Sequence, residues 1–317
     1  MNGVLVIDKP AGPTSHDVVA VVRRAIGLSR VGHTGTLDPL ATGVLPLVIG
    51  RATRLASFMS SADKEYVATI RFGMATDTYD AEDRPGGGHA AAETPESIAA
   101  VAALRESAIV EALQAFVGRY LQTPPPFSAK KIGGTPAYKL ARERKPVDVK
   151  PVEVSVKEIE LRDFAGGRAE VRLVCSSGFY VRSLAHDLGQ RLGCGAHLAG
   201  LRRTRVGELT LEDAVPLEAV AAVEEDGVAV ALRRLIPMDR LLTHLPAVVV
   251  SDLGAKRASH GSDLRPEDLA RVSPESERTA EEGAGGRRLR LLDSAGSLLG
   301  LAEPREGGLL HPVVVLV

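Results

Sequence analysis

The stretch Gly32 to Gly43, GHTGTLDPLATG, constrains this chain most, with Asp38 at its centre. Gly32, Gly35 and Gly43 allow backbone conformations and close approaches that a Cβ would block. Pro39 fixes its own φ and drives Asp38 out of the helical region, so the carboxylate sits on a defined turn. His33, Thr34, Thr36 and Thr42 bring hydrogen-bonding groups into the same loop. Taken alone, the local pattern fits an ordinary Asp-Pro turn. The rest of the chain decides whether this carboxylate does chemistry.

A chain of 317 residues can bury a substantial core in one large domain or two. Tryptophan is absent and aromatics make up 3%, so the core must be built mostly of Val, Leu, Ala and Ile. The formal charge is −1, so nucleic-acid binding cannot be read from overall charge and any basic surface must be local. Cys175 and Cys194 form no disulfide framework, which fits a reducing cytosol. The N-terminus runs directly into MNGVLVIDKP, and no apolar run reaches membrane-spanning length. A soluble cytoplasmic protein is expected.

Val4 to Ile7 reads as a buried strand entering the turn at Asp8-Lys9-Pro10. Thr14 or Ser15 can cap a helix with Asp17 in its first turn, Val18, Val22 and Ile26 on one face, and Gly27 at its end. Val44 to Ile49 reads as a strand and Arg51 to Met59 as a short helix. Between Glu65 and Gly73 the residues alternate, with Tyr66, Ala68, Ile70 and Phe72 on one apolar face. A flexible connection over 84–95 and a helix from Ser97 to Val117 follow. Val152 to Leu161 and Arg168 to Cys175 read as a hairpin turning at Gly166-Gly167.

Two regions carry a distinct composition. From Ser128 to Lys150, seven basic residues (Lys130, Lys131, Lys139, Arg142, Arg144, Lys145, Lys150) face two acidic ones, Glu143 and Asp148, a local excess of +5. Phe127 and Tyr138 interleave with them, which suits stacking on RNA bases beside phosphate contacts. From about Pro246, short apolar segments alternate with polar ones and imply a small β-rich module, interrupted by a disorder-prone SPESERTAEEGAGGRR.

The loop and its surroundings, GHTGTLDPLATGVLP preceded by LVIDKPAGPTSH, resemble the signature of the TruB-type tRNA pseudouridine synthases. Further motifs follow in the family's order. KEYVATIRFGMATDTYDAEDRPGG is similar to KxYxxxxxFGxxTDTxDxxG, and PPPFSAKKIGGTPAY is similar to the family's RNA-gripping insertion. SSGFYVRSLAHDLG and HLAGLRRTRVG complete the set, which spans residues 3 to 240.

The resemblance implies an α+β catalytic domain over 1–245 on a mixed, largely antiparallel sheet with flanking helices. It places the insertion at about 120–150 and a PUA-like RNA-binding module at 246–317. It makes Asp38 the catalytic residue, Tyr66 an active-site tyrosine, and Arg182 the arginine that holds the carboxylate. An arginine suits that task because it stays charged and can pair through two bonds. Tyr180 precedes it by two residues, read here on the same face of an extended segment. By resemblance, Leu201 lies near the uracil and Arg202 and Arg203 near the RNA backbone. His33 fills the gap left by a flipped base, and Lys130, Lys131 and Lys139 grip the RNA. Lys9, Pro10 and Thr36 support the loop.

The implied reaction converts uridine 55 in the T-arm of tRNA to pseudouridine. It is an isomerisation, so no cofactor or metal is required, and no obligatory protein partner is evident. Cys175, His186, Cys194 and His197 lack the tight paired spacing of a zinc site. A glycosidase-like hydrolase would need a second designated carboxylate. An RNA-binding or tRNA-folding factor on the same fold is the alternative.

Overall fold

The computed structural model describes residues 1–81, 94–128, 130–143, 149–221, 226–272 and 288–317. The chain opens with β1 (Gly3–Lys9), an almost fully buried strand, and turns into α1 (Ser15–Ile26). Thr14 caps that helix. Its hydroxyl accepts from the Asp17 amide, and the Asp17 carboxylate accepts from the Thr14 amide. Gly27 ends the helix at φ 65°, in the left-handed region. Next comes β2 (Val31–His33), a short strand the sequence did not announce. It claims the start of the Gly32–Gly43 stretch and narrows the loop to 34–41. After β3 (Thr42–Ile49) and a 3₁₀ segment (Gly50–Leu55) come α2 (Ala56–Ser60) and β4 (Lys64–Phe72). Strand β4 keeps the expected alternation, and Lys64 joins its buried side.

The single helix expected over Ser97 to Val117 is two, α3 (Pro95–Ala103) and α4 (Glu106–Gln114). Leu104 between them is extended and packs on the core. Helix α3 buries no side chain, whereas α4 buries Ile109, Ala112 and Leu113. The break frees α4 to turn its apolar stripe inward. Beyond β5 (Gly118–Gln122), a small hairpin of β6 (Lys131–Ile132) and β7 (Thr135–Pro136) leads into α5 (Ala137–Arg142). The hairpin of β8 (Val152–Ala165) and β9 (Arg168–Cys175) turns at Gly166 and Gly167, both at positive φ, as a two-residue turn of this kind requires. Helix α6 (Val181–Arg191) and β10 (Ala196–Val206) follow. Then β11 (Leu209–Thr210), β12 (Ala214–Pro216), α7 (Leu217–Ala221), α8 (Asp226–Arg234) and β13 (Ile236–Pro237) return the chain to β1.

Apart from the β6–β7 hairpin, these strands form one eleven-stranded sheet with the path β12-β1-β3-β10-β4-β9-β8-β5, with β2, β11 and β13 paired to β3, β10 and β1 off that path. Pairing is antiparallel except for β1 with β12 and β3 with β10, so the expected mixed, largely antiparallel α+β domain is what forms. One face carries Leu5, Ile7, Leu45, Tyr66, Ala68 and Ile70 under helices α1, α4 and α6. The other carries Val4, Val6, Val44 and Val48.

The C-terminal part is a second sheet of β14 (Ala247–Val250), β15 (Leu269–Val272), β16 (Leu289–Leu292), β17 (Leu298–Arg305) and β18 (Leu309–Val315), with α9 (Asp252–Ser259) packed on it. Its Leu298, Leu301 and Leu316 share a cluster with Val4, Val6 and Val48 of the large sheet. Arg51 and Arg54 donate to the carbonyls of Leu316 and Val315. The expected connection over 84–95 and the disorder-prone 273–288 stretch fall almost wholly outside the described residues. Among the described residues no helix is long and apolar enough to cross a membrane.

Candidate active site

A loop without regular structure must find partners for its carbonyls, and the 34–41 loop finds them in two buried cations and a serine. The Lys9 ammonium donates to the carbonyls of Pro10 (2.9 Å), Pro39 (3.2 Å) and Ala41 (2.7 Å). The Ser15 hydroxyl donates to Leu37 O and accepts from Leu37 N. Arg203 donates through Nε to Val44 O (2.7 Å), through Nη2 to Gly35 O (3.1 Å) and through Nη1 to Thr36 O (3.5 Å). Gly43 completes the frame. At φ 101° a Cβ there would meet the Arg203 carbonyl oxygen at 2.2 Å.

Arg203 is therefore not available to an RNA backbone, as had been expected. It is fully buried and belongs to the loop's own frame. Strand alternation explains the error: Leu201 and Arg203 point into the active side, while Arg202 points to the opposite face. There Arg202 pairs with Asp8 through two contacts, Nη2–Oδ2 at 2.8 Å and Nη1–Oδ1 at 3.1 Å. A run of two arginines does not say which one is inside.

The loop holds Asp38 at the side of a cleft of about 380 Å³. Thr36, Tyr66, Tyr180, Arg182, Leu201 and Arg203 line the same cleft. Arg182 is not on an extended segment with Tyr180. Tyr180 is the extended N-cap of α6, and Arg182 lies in the helix's first turn. This register sends the arginine inward, where it is buried to 4% exposure.

Every edge of its guanidinium is used. Nε reaches Asp38 Oδ2 (2.9 Å), and Nη2 donates to Asp38 Oδ1 (3.4 Å) and Phe127 O (3.0 Å). Nη1 donates to Thr78 O (3.1 Å) and lies 3.4 Å from Asp80 Oδ2. Asp80 is fully buried and also accepts from the Thr78 hydroxyl at 2.7 Å. The sequence reading matched Asp80 to a family motif but gave it no role. Its signal was present in the sequence: a guanidinium has five donors and can serve more than one carboxylate.

The ring groups differ in state. Burial pushes the Tyr66 phenol above its ordinary value, with nearby Arg203 opposing, and burial does the same for Tyr180. Both therefore stay protonated near neutral pH. His33 does not line the cleft. Its ring stands edge-on to His16 at 5.3 Å between centroids, and burial lowers its pKa so that it stays neutral.

Of the expected RNA grip, Lys130 donates to Lys150 O at 3.3 Å and Lys139 is exposed. The side chains of Lys131, Tyr138 and Arg142, and all of Arg144 and Lys145, lie outside the described residues. Cys175 faces the Lys64 carbonyl, His197 Nδ1 lies 2.8 Å from Met74 O, and His186 stacks on Tyr79.

Lys64, two residues before Tyr66 on the same face, lines the cleft with its ammonium bound to the carbonyls of Ser60 and Ala62. Burial, then the Arg203 charge, lowers its pKa from 10.5 to about 8. Between those values the unfolded chain holds a proton that the folded protein has released, so folding stability rises with pH across that window. Lys64→Met is expected to remove that rise. Urea titrations of both proteins below and above pH 8 check it, and parallel stability profiles would remove Lys64 as the cause.

Comparison with known proteins identifies the family. Residues 23–181 match the model of the TruB family pseudouridylate synthase N-terminal domain, and residues 182–243 match that of the tRNA pseudouridylate synthase B C-terminal domain. The chain is 42% identical to the tRNA pseudouridine synthase B of Solibacter usitatus over all of both chains. It is 39% identical to that of Dechloromonas aromatica, covering 98% of this chain and 94% of the relative. A crystal structure of the archaeal box H/ACA sRNP Nop10–Cbf5 complex superposes with a TM-score of 0.71 at 26% identity, covering 100% of this chain and 86% of that one. The fold and these matches define a pseudouridylate synthase, an isomerase, and the cleft where a buried arginine holds Asp38 is its candidate site. The chain belongs to the TruB family.

Proposed function

We propose that the enzyme acts on tRNA, converting uridine 55 in the T-arm loop to pseudouridine, with Asp38, Tyr66 and Arg182 as its reacting constellation. The observation that carries this is the pairing of both Asp38 oxygens with one guanidinium, at the rim of a cleft that Tyr66, Tyr180 and Leu201 also line. The names of the relatives supply the substrate class. A base inside a folded RNA loop must be flipped out to enter such a cleft. The bond from the ribose C1′ to N1 then breaks, the uracil turns, and a bond from C1′ to C5 forms. C5 gives up a proton and N1 gains one, so nothing is oxidised and no co-reactant is consumed.

Asp38 acts on the ribose or the base as nucleophile, or on the ribose as a base. The frame of Lys9, Ser15 and Arg203 keeps it in register. Tyr66, protonated and buried, offers a face for the uracil and a hydrogen-bond donor. Proton removal from C5 then needs a basic partner near that phenol. We assign 1–245 to the catalytic domain and 246–317 to an RNA-binding module seated on the far face of its sheet.

Incubating the purified protein with unmodified tRNA and locating the product tests the reading. Pseudouridine at position 55 is expected, while free uracil would mean hydrolysis and binding without product a folding factor. RNA affinity should also depend on Lys130 and Lys139. The Lys130→Ala/Lys139→Ala variant should bind tRNA more weakly, with the slope of log K against log salt shallower by about 1.5 if each lysine meets a phosphate. Superimposable slopes in a salt series would show that these lysines only solvate the loop.

A further inference from the structure

Helix α6 carries Arg182 and His186 four residues apart, one turn above the other on the same face. Both meet the segment from Thr76 to Asp80. Arg182 takes the Thr78 carbonyl and the Asp80 carboxylate, while the His186 ring lies flat on Tyr79, with centroids 3.9 Å apart and planes 11° from parallel. Tyr79 sits between the two groups that grip the arginine, and its φ is 62°. A bulky residue keeps that left-handed conformation only where its surroundings hold it.

Backbone bonds hold part of the turn. Tyr79 N donates to Thr76 O (3.2 Å), and the Leu198 amide donates to Tyr79 O (2.9 Å). The Thr76 hydroxyl donates to Asp80 O (2.8 Å). None of these bonds fixes the ring. His186 Nδ1 is buried without a hydrogen-bond partner, so at that nitrogen the imidazole is held by its face and not by a bond. Burial also lowers the His186 pKa, which keeps the ring neutral near neutral pH.

We propose that Tyr79 and His186 form a positioning pair: their stack locks the strained turn so that Thr78 O and Asp80 reach the Arg182 guanidinium together, and through it fix Asp38. Neither ring lines the cleft, so the pair acts on the chemistry through Arg182 and not on the substrate.

The inference rests on the reading of Asp38 and Arg182 given above, and one assay separates the two. Wild type and Asp38→Asn are run first on tRNA under saturating single-turnover conditions. An inactive wild type or an active Asp38→Asn sinks that reading and the inference with it. With that control in place, His186→Leu keeps the volume and the helix but loses the flat ring. It should slow the saturated rate roughly five- to tenfold, the scale of a lost aromatic pair, and leave the tRNA Kd within about twofold. His186→Phe, which restores a flat ring without the imidazole nitrogens, should return the rate to within about twofold of wild type. In a Tyr79→Leu background, His186→Leu should cost little more, because the stack is already gone. A wild-type rate for His186→Leu, no rescue by phenylalanine, or fully multiplicative losses in the double variant would each overturn the inference. A loss of thermal stability with unchanged saturated rate would mean the rings only fill space.

Discussion

Asp38→Asn is expected to fold, to bind tRNA within a few-fold of wild type, and to lose turnover by about 10⁴-fold, the upper end of what a missing base or nucleophile costs. The fold should survive because the loop's frame does not use this carboxylate. Lys9, Ser15 and Arg203 bind the carbonyls of Gly35, Thr36, Leu37, Pro39, Ala41 and Val44 and leave the Asp38 side chain to the cleft. The amide is nearly the same shape, but one of its two ends is a donor. Arg182 presents N–H groups to both oxygens, so one end of the asparagine must face a donor with a donor, costing about 1–3 kcal/mol. That local penalty is small beside the chemical one. Single-turnover formation of pseudouridine with enzyme in excess, alongside the tRNA Kd, checks both halves. Substantial turnover by Asp38→Asn would move the catalytic role to another residue.

What the sequence made legible was local. The cap at Thr14 or Ser15, the stop at Gly27, the alternation through Tyr66 and the Gly166-Gly167 turn each depend on neighbours within a few residues. The 34–41 loop was legible for a different reason: its glycines and proline leave few conformations, and its string is family-specific. The misses are long-range. Whether Arg202 or Arg203 points inward depends on the register of β10 against β4, where Arg203 pairs with Tyr66 across a bulged strand. Whether α6 starts before or after Arg182 depends on Gln122 of β5. The Gln122 amide accepts from Tyr180 N at 2.8 Å and donates to Tyr180 O at 3.1 Å, fixing the residue that begins the helix. The seating of Leu298, Leu301 and Leu316 on the far face of the large sheet likewise has no local signature.

Arg182→Lys is expected to cost turnover on the order of 10²- to 10³-fold, the scale of removing a preorganised donor, although the charge is kept. The guanidinium makes five contacts from one plane: two to Asp38, and one each to Phe127 O, Thr78 O and Asp80. An ammonium has three protons at a single point and cannot span carboxylates on two sides of a planar fork. If it follows Asp38, the fully buried Asp80 loses its contact with the residue-182 cation, a loss of about 3–5 kcal/mol. If it follows Asp80, Asp38 swings free at the rim of the cleft. Stability and activity distinguish these cases. Loss of melting temperature would place the ammonium at Asp38, and adding Asp80→Asn should then recover part of the stability by removing a buried charge that has lost its cation contact. In either case turnover should stay low, because the two-point hold on Asp38 is gone. Thermal melts and saturated single-turnover rates of Arg182→Lys and Arg182→Lys/Asp80→Asn measure this directly. Near-wild-type turnover in either variant would show that Asp38 needs no planar clamp, and that the arginine's place between two carboxylates serves the fold alone.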